Sequence, residues 1–327
     1  MPTTVPPAQD APLLDVRDLT VDMPSGGNLL RLVDGVSFSI HRGERLALVG
    51  ESGSGKSVTA QALLRLNPRA KLGGSIGFEG EDLATVSPRR MTALRGKKLG
   101  MVFQDPMSSL DPMMTIGNQI AETLRIHGVS NADARQHALA VLDELKVERA
   151  AERLNAYPHE FSGGMRQRVV IAMALVGDPD LLIADEPTTA LDVRVQERVL
   201  DLLDEISTRR SLAVLLITHD MGVVAGFADR VMVMYSGRIV EENAVGELFA
   251  TPRHPYTQGL LTAIPRADVT LERLHSIPGA PPSPADRPAG CHFHPRCPKA
   301  MDICRAVEPL PVTVDGATLR CHLYGGA

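Results

Sequence analysis

A glycine-rich segment at residues 50–57 carries the most specific chemistry in the chain. It reads GESGSGKS and fits the pattern G-x-x-x-x-G-K-[ST], with a short apolar run before it and a helical stretch after it. In such a loop, backbone N–H groups curl around a phosphate, the lysine reaches the outer phosphates, and the last hydroxyl ligates Mg²⁺. The pattern predicts a nucleotide-binding loop made of Gly50, Ser52, Gly53, Ser54, Gly55, Lys56, Ser57 and Val58.

Two carboxylates follow a second apolar run, LLIA at residues 181–184. We predict that Asp185 holds Mg²⁺, directly or through a water molecule, and that Glu186 positions and polarises an attacking water. An acidic pair at a strand end is by itself often only solvated surface. The phosphate loop earlier in the chain favours the catalytic interpretation.

The segment FSGG at residues 161–164 precedes a helical run that contains VVIAMALV. Ser162 can cap this helix, and Gly163 and Gly164 leave its first amides open to a phosphate. By itself, an SGG sequence is also common in ordinary serine-capped helices. The two motifs described above favour the phosphate-binding interpretation.

Taken together and in this order, the motifs resemble those of the ATPase subunits of ABC transporters. FSGGMRQR is similar to the family signature LSGGQ, with Met165 in place of the usual glutamine. The resemblance implies that Ser162, Gly163 and Gly164 contact the γ-phosphate of an ATP molecule held by the phosphate loop of a second subunit.

The resemblance extends to three single polar residues. Gln104 in MVFQDPMSSLDP matches the Q-loop glutamine, which contacts Mg²⁺ or the water and faces the membrane partner. Asp192 in TTALD matches the D-loop across the dimer, and His219 in LLITHD matches the switch histidine near the γ-phosphate. The implied catalytic residues are Gln104, Glu186 and His219. The implied Mg²⁺ ligands are Ser57, Gln104 and Asp185.

Longer stretches narrow the resemblance to the oligopeptide, dipeptide and nickel permease branch of that family. They include VGESGSGKS, PHEFSGGMRQR, ADEPTTALD and, near the C-terminus, HPYTQGLLTAIP. One departure concerns adenine, which the family stacks on an aromatic residue at the end of the first strand, near Met23 in this chain. No Tyr, Phe or Trp precedes Phe38, so the base would rest on aliphatic or methionine surface.

All the cysteines of the chain lie near its C-terminus, at Cys291, Cys297, Cys304 and Cys321. Their spacing differs from the paired C-x2-C of common zinc ribbons, but four thiolates can ligate a [4Fe–4S] cluster. The resemblance adds that members of this branch carry such a cluster in this region, where we expect a structural role. Two alternatives stay open: unligated thiols, or Zn²⁺ with spare ligands among His292, His294 and His322.

The spacing of apolar residues predicts the elements that position these motifs. Buried strands that alternate with helices indicate an α/β fold with a parallel sheet. The predicted elements are antiparallel strands within 13–40, buried strands at 45–49, 181–185 and 213–218, helices at 57–66 and 193–208, helical segments within 105–165, and a hairpin at 231–242.

Together with the resemblance, this order predicts a P-loop NTPase fold of the ABC ATPase type. An antiparallel β subdomain, a helical subdomain and a C-terminal metal-binding extension would complete it. The predicted domain boundaries are a flexible proline-rich tail at 1–12, an ABC ATPase domain at 13–250 with its helical subdomain at about 105–165, and a C-terminal extension with the cysteines at 251–327.

Composition narrows the class of protein further. The 327 residues are 44% hydrophobic and 22% charged, as in an ordinary globular protein, and the net charge of −5 argues against a nucleic-acid partner. No apolar run approaches the roughly 20 residues that span a bilayer, and the first residues lack the pattern of a secretory signal. We therefore expect a cytosolic chain that reaches a membrane only through partners.

These features predict the ATP-hydrolysing subunit that energises import of di- and oligopeptides through an ABC transporter. The alternatives are the same role in a nickel or other small-solute importer, and a soluble ABC ATPase without a transport role. The chain has a single cassette and an acidic charge, which disfavours the last. The resemblance implies two transmembrane permease subunits, a paralogous ATPase subunit and an extracytoplasmic substrate-binding protein as partners. It implies peripheral attachment to the cytoplasmic face of the membrane.

Overall fold

Buried apolar runs build the sheets of the protein, for which a computed structural model describes residues 11–105, 109–188, 191–263 and 277–325. The three runs predicted as buried strands form strands with the predicted bounds. In chain order the strands are β1 (Leu14–Ser25), β2 (Asn28–Ile40), β3 (Arg45–Val49), β4 (Lys71–Phe78), β5 (Glu81–Asp82), β6 (Leu99–Val102), β7 (Leu181–Asp185), β8 (Ala213–Thr218), β9 (Arg230–Tyr235), β10 (Arg238–Ala244), β11 (Val312–Val314) and β12 (Ala317–Leu319).

The central sheet of the described residues has the strand order β11-β12-β10-β9-β3-β8-β7-β6. β3 lies parallel between β8 and β9, and β7 lies parallel between β6 and β8. The predicted parallel α/β core is confirmed, and so is the hairpin, which antiparallel β9 and β10 form. Parallel strands of one sheet end at the same edge, so the residues that follow β3, β7 and β8 meet there.

A smaller antiparallel sheet has the order β2-β1-β4-β5 and shares a hydrophobic core with β3, β7 and β8. The predicted antiparallel strands within 13–40 form β1 and β2, whereas β4 lies in a stretch for which the sequence analysis predicts no element. Gly74 in β4 has a φ of 80°, and a Cβ there would lie 2.3 Å from the carbonyl oxygen of Arg17 in β1. The glycine therefore permits a close approach between strands that a larger residue would prevent.

The predicted helices also form. Ser130 caps the second helix of the 105–165 region, since its Oγ accepts a hydrogen bond from the Asp133 amide at 3.2 Å. Within the described ranges, every helix is too short or too polar to cross a membrane. In chain order the helices are α1 (Lys56–Leu63), α2 (Pro88–Leu94), α3 (Ile116–Ile126), α4 (Asn131–Glu144), α5 (Ala150–Arg153), α6 (Gly163–Leu175), α7 (Val193–Arg210), α8 (Met221–Phe227), α9 (Val245–Ala250), α10 (Pro255–Thr262) and α11 (Ile303–Ala306).

The C-terminal segment extends the central sheet. β12 pairs antiparallel with β10, with Leu319 opposite Glu241, and β11 pairs with β12. The predicted boundary at residue 250 is thus crossed by hydrogen-bonded strands, and it stays a prediction. The predicted tail at 1–12 lies almost entirely outside the described residues.

Candidate nucleotide-binding and catalytic site

The phosphate loop lies between the carboxyl end of β3 and the start of α1. Gly50, Gly53 and Gly55 adopt positive φ angles, so the loop curls in a way that most other residues resist. Ser52 and Gly53 are exposed at its tip, where a ligand can reach their amides. This strand–loop–helix arrangement is the one that the sequence predicts.

The Lys56 ammonium is folded into this loop. Its Nζ donates hydrogen bonds to the carbonyl oxygens of Gly50 at 2.7 Å and Glu51 at 3.0 Å, and the residue is 5% exposed. Burial lowers the pKa of Lys56, against nearby carboxylates that raise it. Ser54 Oγ is also buried and has no hydrogen-bond partner among the described residues. A buried cation beside an unpaired hydroxyl is suited to a phosphate group.

Two of the predicted Mg²⁺ ligands lie together between α1 and β7. Ser57 Oγ donates a hydrogen bond to Asp185 Oδ1 at 3.0 Å, and Asp185 is almost fully buried. Burial raises the pKa of Asp185, and the Ser57 hydrogen bond opposes that shift. A hydroxyl and a carboxylate are hard oxygen donors of the kind that Mg²⁺ prefers, so this pair fits the ion. The third predicted ligand, Gln104, contacts Glu186 instead.

Glu186 is held from both sides directly after β7. Gln104 Nε2 donates a hydrogen bond to Glu186 Oε2 at 3.0 Å, and His219 Nδ1 lies 3.3 Å from Glu186 Oε1. The backbone of Glu186 is in the left-handed region, with a φ of 47°, a strained conformation that is common at functional sites. The three predicted catalytic residues therefore meet at one carboxylate, an arrangement suited to orienting a water molecule.

The signature segment lies on a different helix. Ser162 Oγ accepts a hydrogen bond from the Met165 amide at 3.4 Å and caps α6, as predicted. α6 packs against α3, α4, α7 and β6, whereas α1 after the phosphate loop packs against β1, β2 and β7. Ser162 and Gly163 are exposed. The signature amides are therefore available at a surface, on elements other than those that hold the phosphate loop.

The signature helix abuts the helix that follows the TTALD segment. A Cβ on Gly164 would lie 2.6 Å from Cγ1 of Val195 in α7, so the close contact requires glycine there. Asp192 caps α7, because its Oδ1 accepts a hydrogen bond from the Val195 amide at 3.0 Å. Asp192 thus has a local structural function in addition to any contact across a dimer. Thr189 and Ala190, just before it, lie outside the described residues.

Comparison with known proteins decides the family. Residues 33–189 match the family model for ABC transporters, and residues 240–304 match the model for the oligopeptide/dipeptide transporter C-terminal region. A putative peptide import ATP-binding protein of Brucella abortus is 50% identical over 314 residues, which cover 95% of both chains. The chain belongs to the ABC transporter ATPase family.

Further relatives of this ABC ATPase agree. The oligopeptide transport ATP-binding protein OppD of Salmonella typhimurium is 47% identical over 311 residues, 94% of this chain and 93% of the relative. A dimeric ATP-binding cassette solved in a post-hydrolysis state with ADP and Pi has a TM-score of 0.64 and 28% identity. It covers 71% of this chain and 98% of that chain. The predicted P-loop ABC ATPase fold and the ATPase activity coupled to transport are thereby confirmed.

The region where this ABC ATPase would hold adenine has no aromatic lining. Met23 of β1 and Val58 of α1 border a small cavity of about 100 Å³, together with Gln61 and Leu72. The residues around this cavity are aliphatic, polar or methionine, apart from one arginine, Arg65. Stacking on an aromatic ring would give the base a specific geometry as well as buried area. This cavity offers no ring for such stacking.

The cysteine segment does not have the predicted form of a metal site. Among the residues that the structure describes, no group of three or more His, Cys, Asp or Glu side chains could hold a metal ion. All four cysteines are free thiols, and burial raises the pKa of Cys291, Cys297 and Cys321, the last to about 11. The predicted metal-binding character of the extension is therefore not supported by this arrangement.

The histidines considered as spare zinc ligands each use a ring nitrogen on a backbone carbonyl. His292 Nδ1 lies 3.2 Å from the Ser236 oxygen, and His294 Nδ1 lies 2.9 Å from the Cys291 oxygen. His322 Nε2 lies 2.9 Å from the oxygen of Val307. These contacts direct the three rings to three different carbonyl groups, of Ser236, Cys291 and Val307.

Two residues of the C-terminal segment contact the phosphate loop, and the sequence analysis assigned neither of them a function. The Tyr256 hydroxyl accepts a hydrogen bond from the Glu51 amide at 2.8 Å. Arg296 forms an ion pair with the Glu51 carboxylate, with an Nη1–Oε2 distance of 2.6 Å. The available signals were the HPYTQG and HPRCP stretches, which contain these residues and which had served for the family resemblance, without a function for Tyr256 or Arg296.

Proposed function

We propose that the chain is the ATP-hydrolysing subunit that energises import of di- and oligopeptides through an ABC transporter. The observation that carries the substrate class is the match of residues 240–304 to the oligopeptide/dipeptide transporter C-terminal model. Relatives named as peptide import ATP-binding proteins match over nearly the whole chain, which supports the same conclusion. The alternative, import of nickel or another small solute, is distinguished by the transport assay described below.

The proposed chemistry divides the hydrolysis reaction among the residues of the site. The loop amides and Lys56 bind the phosphates, and Ser57 and Asp185 hold Mg²⁺, which offsets negative charge on the phosphates when it is bound. Glu186 orients the attacking water and accepts its proton. Gln104 and His219 set the position of that carboxylate, since each contacts one of its oxygens.

We propose further that two ATPase subunits sandwich two ATP molecules, with a paralogue as the second subunit. The exposed Ser162 and Gly163 at the start of α6 support this, because they lie at a surface on a helix that packs against other elements than those that hold this chain's own phosphate loop. The similar ATP-binding cassette is described as dimeric with ADP and Pi. Each ATP would then join one subunit's phosphate loop to the other's signature.

Replacing Ser162 with arginine tests this shared site. The variant is expected to bind ATP as the wild type does when isolated, while turnover of the assembled complex falls by about tenfold or more. The reason is that arginine obstructs amides that serve the partner's ATP. ATP affinity of the isolated chain and ATPase rate of the complex are the two measurements.

Ser130→Arg is the matched control, because Ser130 caps α4 through the same kind of bond to the amide three residues on. This control is expected to leave the turnover of the complex near normal. An equal loss with Ser130→Arg, or weaker ATP binding by isolated Ser162→Arg, contradicts the shared site.

The permease subunits would dock beside Gln104. A cavity of about 530 Å³ lies there, with apolar lining from residues that include Leu66, Met101, Phe103 and Met173. Phe103 is 43% exposed and directly precedes Gln104, which contacts Glu186. A permease element in this groove would therefore act on the Glu186 carboxylate through Gln104. This attachment would make the chain a peripheral protein of the cytoplasmic membrane face, linked to a substrate-binding protein through the complex.

The function is tested by reconstituting the chain with its permease and paralogous ATPase subunits in lipid vesicles. We expect ATP-dependent uptake of di- or oligopeptides delivered by the substrate-binding protein, together with a rise in ATPase rate. Uptake of Ni²⁺ in place of peptides would show that the chain energises nickel import. An ATPase rate that is the same for the isolated chain and the complex argues against a transport role.

We infer from the family resemblance that the four cysteines take a [4Fe–4S] cluster when one is available. Electrostatic interactions link Cys321 to the other three thiols, which supports a common neighbourhood, although ligation requires the thiols to lose protons and draw closer. Chain purified without air is expected to contain about four iron and four sulfide. The variant with all four cysteines changed to serine should contain neither. One zinc without iron, or no metal, refutes the cluster.

A further inference from the structure

Described residues of the C-terminal segment contact the ATP site at Glu51, the second residue of the phosphate loop. Two bonds to Glu51 come from different parts of the segment, one to its backbone amide and one to its carboxylate. We propose that Tyr256 and Arg296 are positioning residues for ATP binding: they hold Glu51, and through it the phosphate loop. This inference rests on the proposed function and adds a regulatory input to the same site.

The ion pair has the geometry of a specific contact. Arg296 Nη1 and Nη2 donate to the two carboxylate oxygens of Glu51 at 2.6 Å and 2.9 Å, a two-pronged arrangement that lysine cannot reproduce. The Arg296 side chain is only 4% exposed, and its Nε donates to the carbonyl oxygen of Pro278 at 2.9 Å. The guanidinium is therefore fixed in the C-terminal segment and presents its remaining nitrogens to the loop.

An aromatic cluster supports both contacts. Tyr235, Tyr256 and Phe293 are almost fully buried, and their ring centroids lie 4.7 to 5.3 Å apart. The Arg296 guanidinium lies 5.8 Å from the Tyr235 ring centroid. The chain has only seven Phe, four Tyr and no Trp, and three of these rings lie in this cluster. Packed rings lose little conformational freedom, so the cluster is a rigid base for the bonds to Glu51.

Loop order and charge both predict an effect on ATP binding. A loop with glycines in left-handed conformations is costly to order, and bonds that hold it before the nucleotide arrives reduce that cost on binding. In addition, the Glu51 carboxylate lies near Lys56, where it would repel the phosphates of ATP if no cation neutralised it. Arg296 supplies that cation. Buried ion pairs give little net stability, so a positioning role explains this pair better than a stabilising one.

The contact also connects the cysteine segment to the ATP site. Cys297 directly follows Arg296, and Cys291 lies two residues before Phe293. The side chains of Cys291 and Cys297 pack against the same buried core as Tyr256 and Phe293. The cysteine segment and the residues that hold Glu51 therefore share one buried core.

The test compares ATP binding and turnover in Arg296→Gln and Tyr256→Phe, made in the full chain and assayed alone and in the complex. Each variant is expected to raise the KM for ATP by about fivefold to tenfold, with kcat within about twofold. The separation is expected because Gln104, Glu186 and His219 are held on other elements. Arg253→Gln is the control, because Arg253 is a largely buried arginine of the same segment whose ion-pair partner is the exposed Asp315 and not the loop.

Glu51→Gln provides a second measurement, the ATP affinity of a double variant. A merely structural role of Arg296 would not change this affinity in the way proposed here. If Arg296 acts by neutralising Glu51, the double variant Glu51→Gln/Arg296→Gln recovers part of the ATP affinity that Arg296→Gln loses. If the losses of ATP affinity from Glu51→Gln and Arg296→Gln simply add in the double variant, the proposal is overturned. It is also overturned if Arg296→Gln and Tyr256→Phe both leave the KM for ATP unchanged, or if Arg253→Gln raises that KM equally. If Arg296→Gln does not fold, Tyr256→Phe decides, because it removes only a hydroxyl. Absent ATPase activity in the wild-type complex would instead count against the proposed function.

Discussion

Replacement of Glu186 by glutamine is expected to abolish most ATP hydrolysis while ATP binding is retained. Glutamine has nearly the same shape and can still contact Gln104 and His219, but it cannot accept a proton from the attacking water. A positioned general base contributes roughly 10²- to 10⁴-fold to a rate, so kcat of the assembled complex should fall within that range. The ATP affinity of the isolated chain, measured by equilibrium binding, should stay within about twofold of wild type.

The same variant should accumulate as an ATP-bound dimer with its paralogue, because the bound nucleotide is no longer consumed. Size-exclusion chromatography with ATP and Mg²⁺ would detect that species. Glu197→Gln is the control: Glu197 is an exposed carboxylate on α7, and its loss should leave kcat near normal. Turnover of Glu186→Gln close to that of wild type would show that another group orients the water.

Replacement of Lys56 by alanine is expected to remove ATP binding itself. The lysine is buried in the phosphate loop, and its ammonium is bonded to the loop backbone where the phosphates would lie. Hydrogen bonds to a charged group contribute about 1.5–3 kcal/mol each, so losing them should weaken ATP binding on the order of a hundredfold. Since a ligand that binds only the folded state raises Tm, ATP should no longer raise the Tm of this variant.

Lys146→Ala is the matched control for that measurement. Lys146 is an exposed lysine paired with Glu205, and its loss should leave the ATP-dependent shift in Tm unchanged. If Lys56→Ala keeps the full shift, the nucleotide does not bind at this loop. The two variants also separate two functions: Glu186→Gln should bind ATP without turnover, whereas Lys56→Ala should fail at the binding step.

Local pattern was sufficient for the elements that carry the site. The runs at 45–49, 181–185 and 213–218 are short and apolar, which indicates buried strands, and their alternation with helices indicates parallel pairing. The motifs after those strands then had to meet at one sheet edge. The pattern predicts no element at β4, where Gly74 permits close packing against β1 in the structure.

The sequence by itself determined the phosphate loop, the acidic pair after β7, the serine-capped signature helix and the family. Each of these depends on neighbouring residues or on fixed spacing, which can be read directly from the amino-acid sequence. Only the tertiary structure decided that Gln104 and His219 meet on Glu186, and that Arg296 and Tyr256 hold Glu51. These contacts join residues far apart in the chain, and their geometry depends on how sheets and helices pack. Side-chain type alone does not encode that packing.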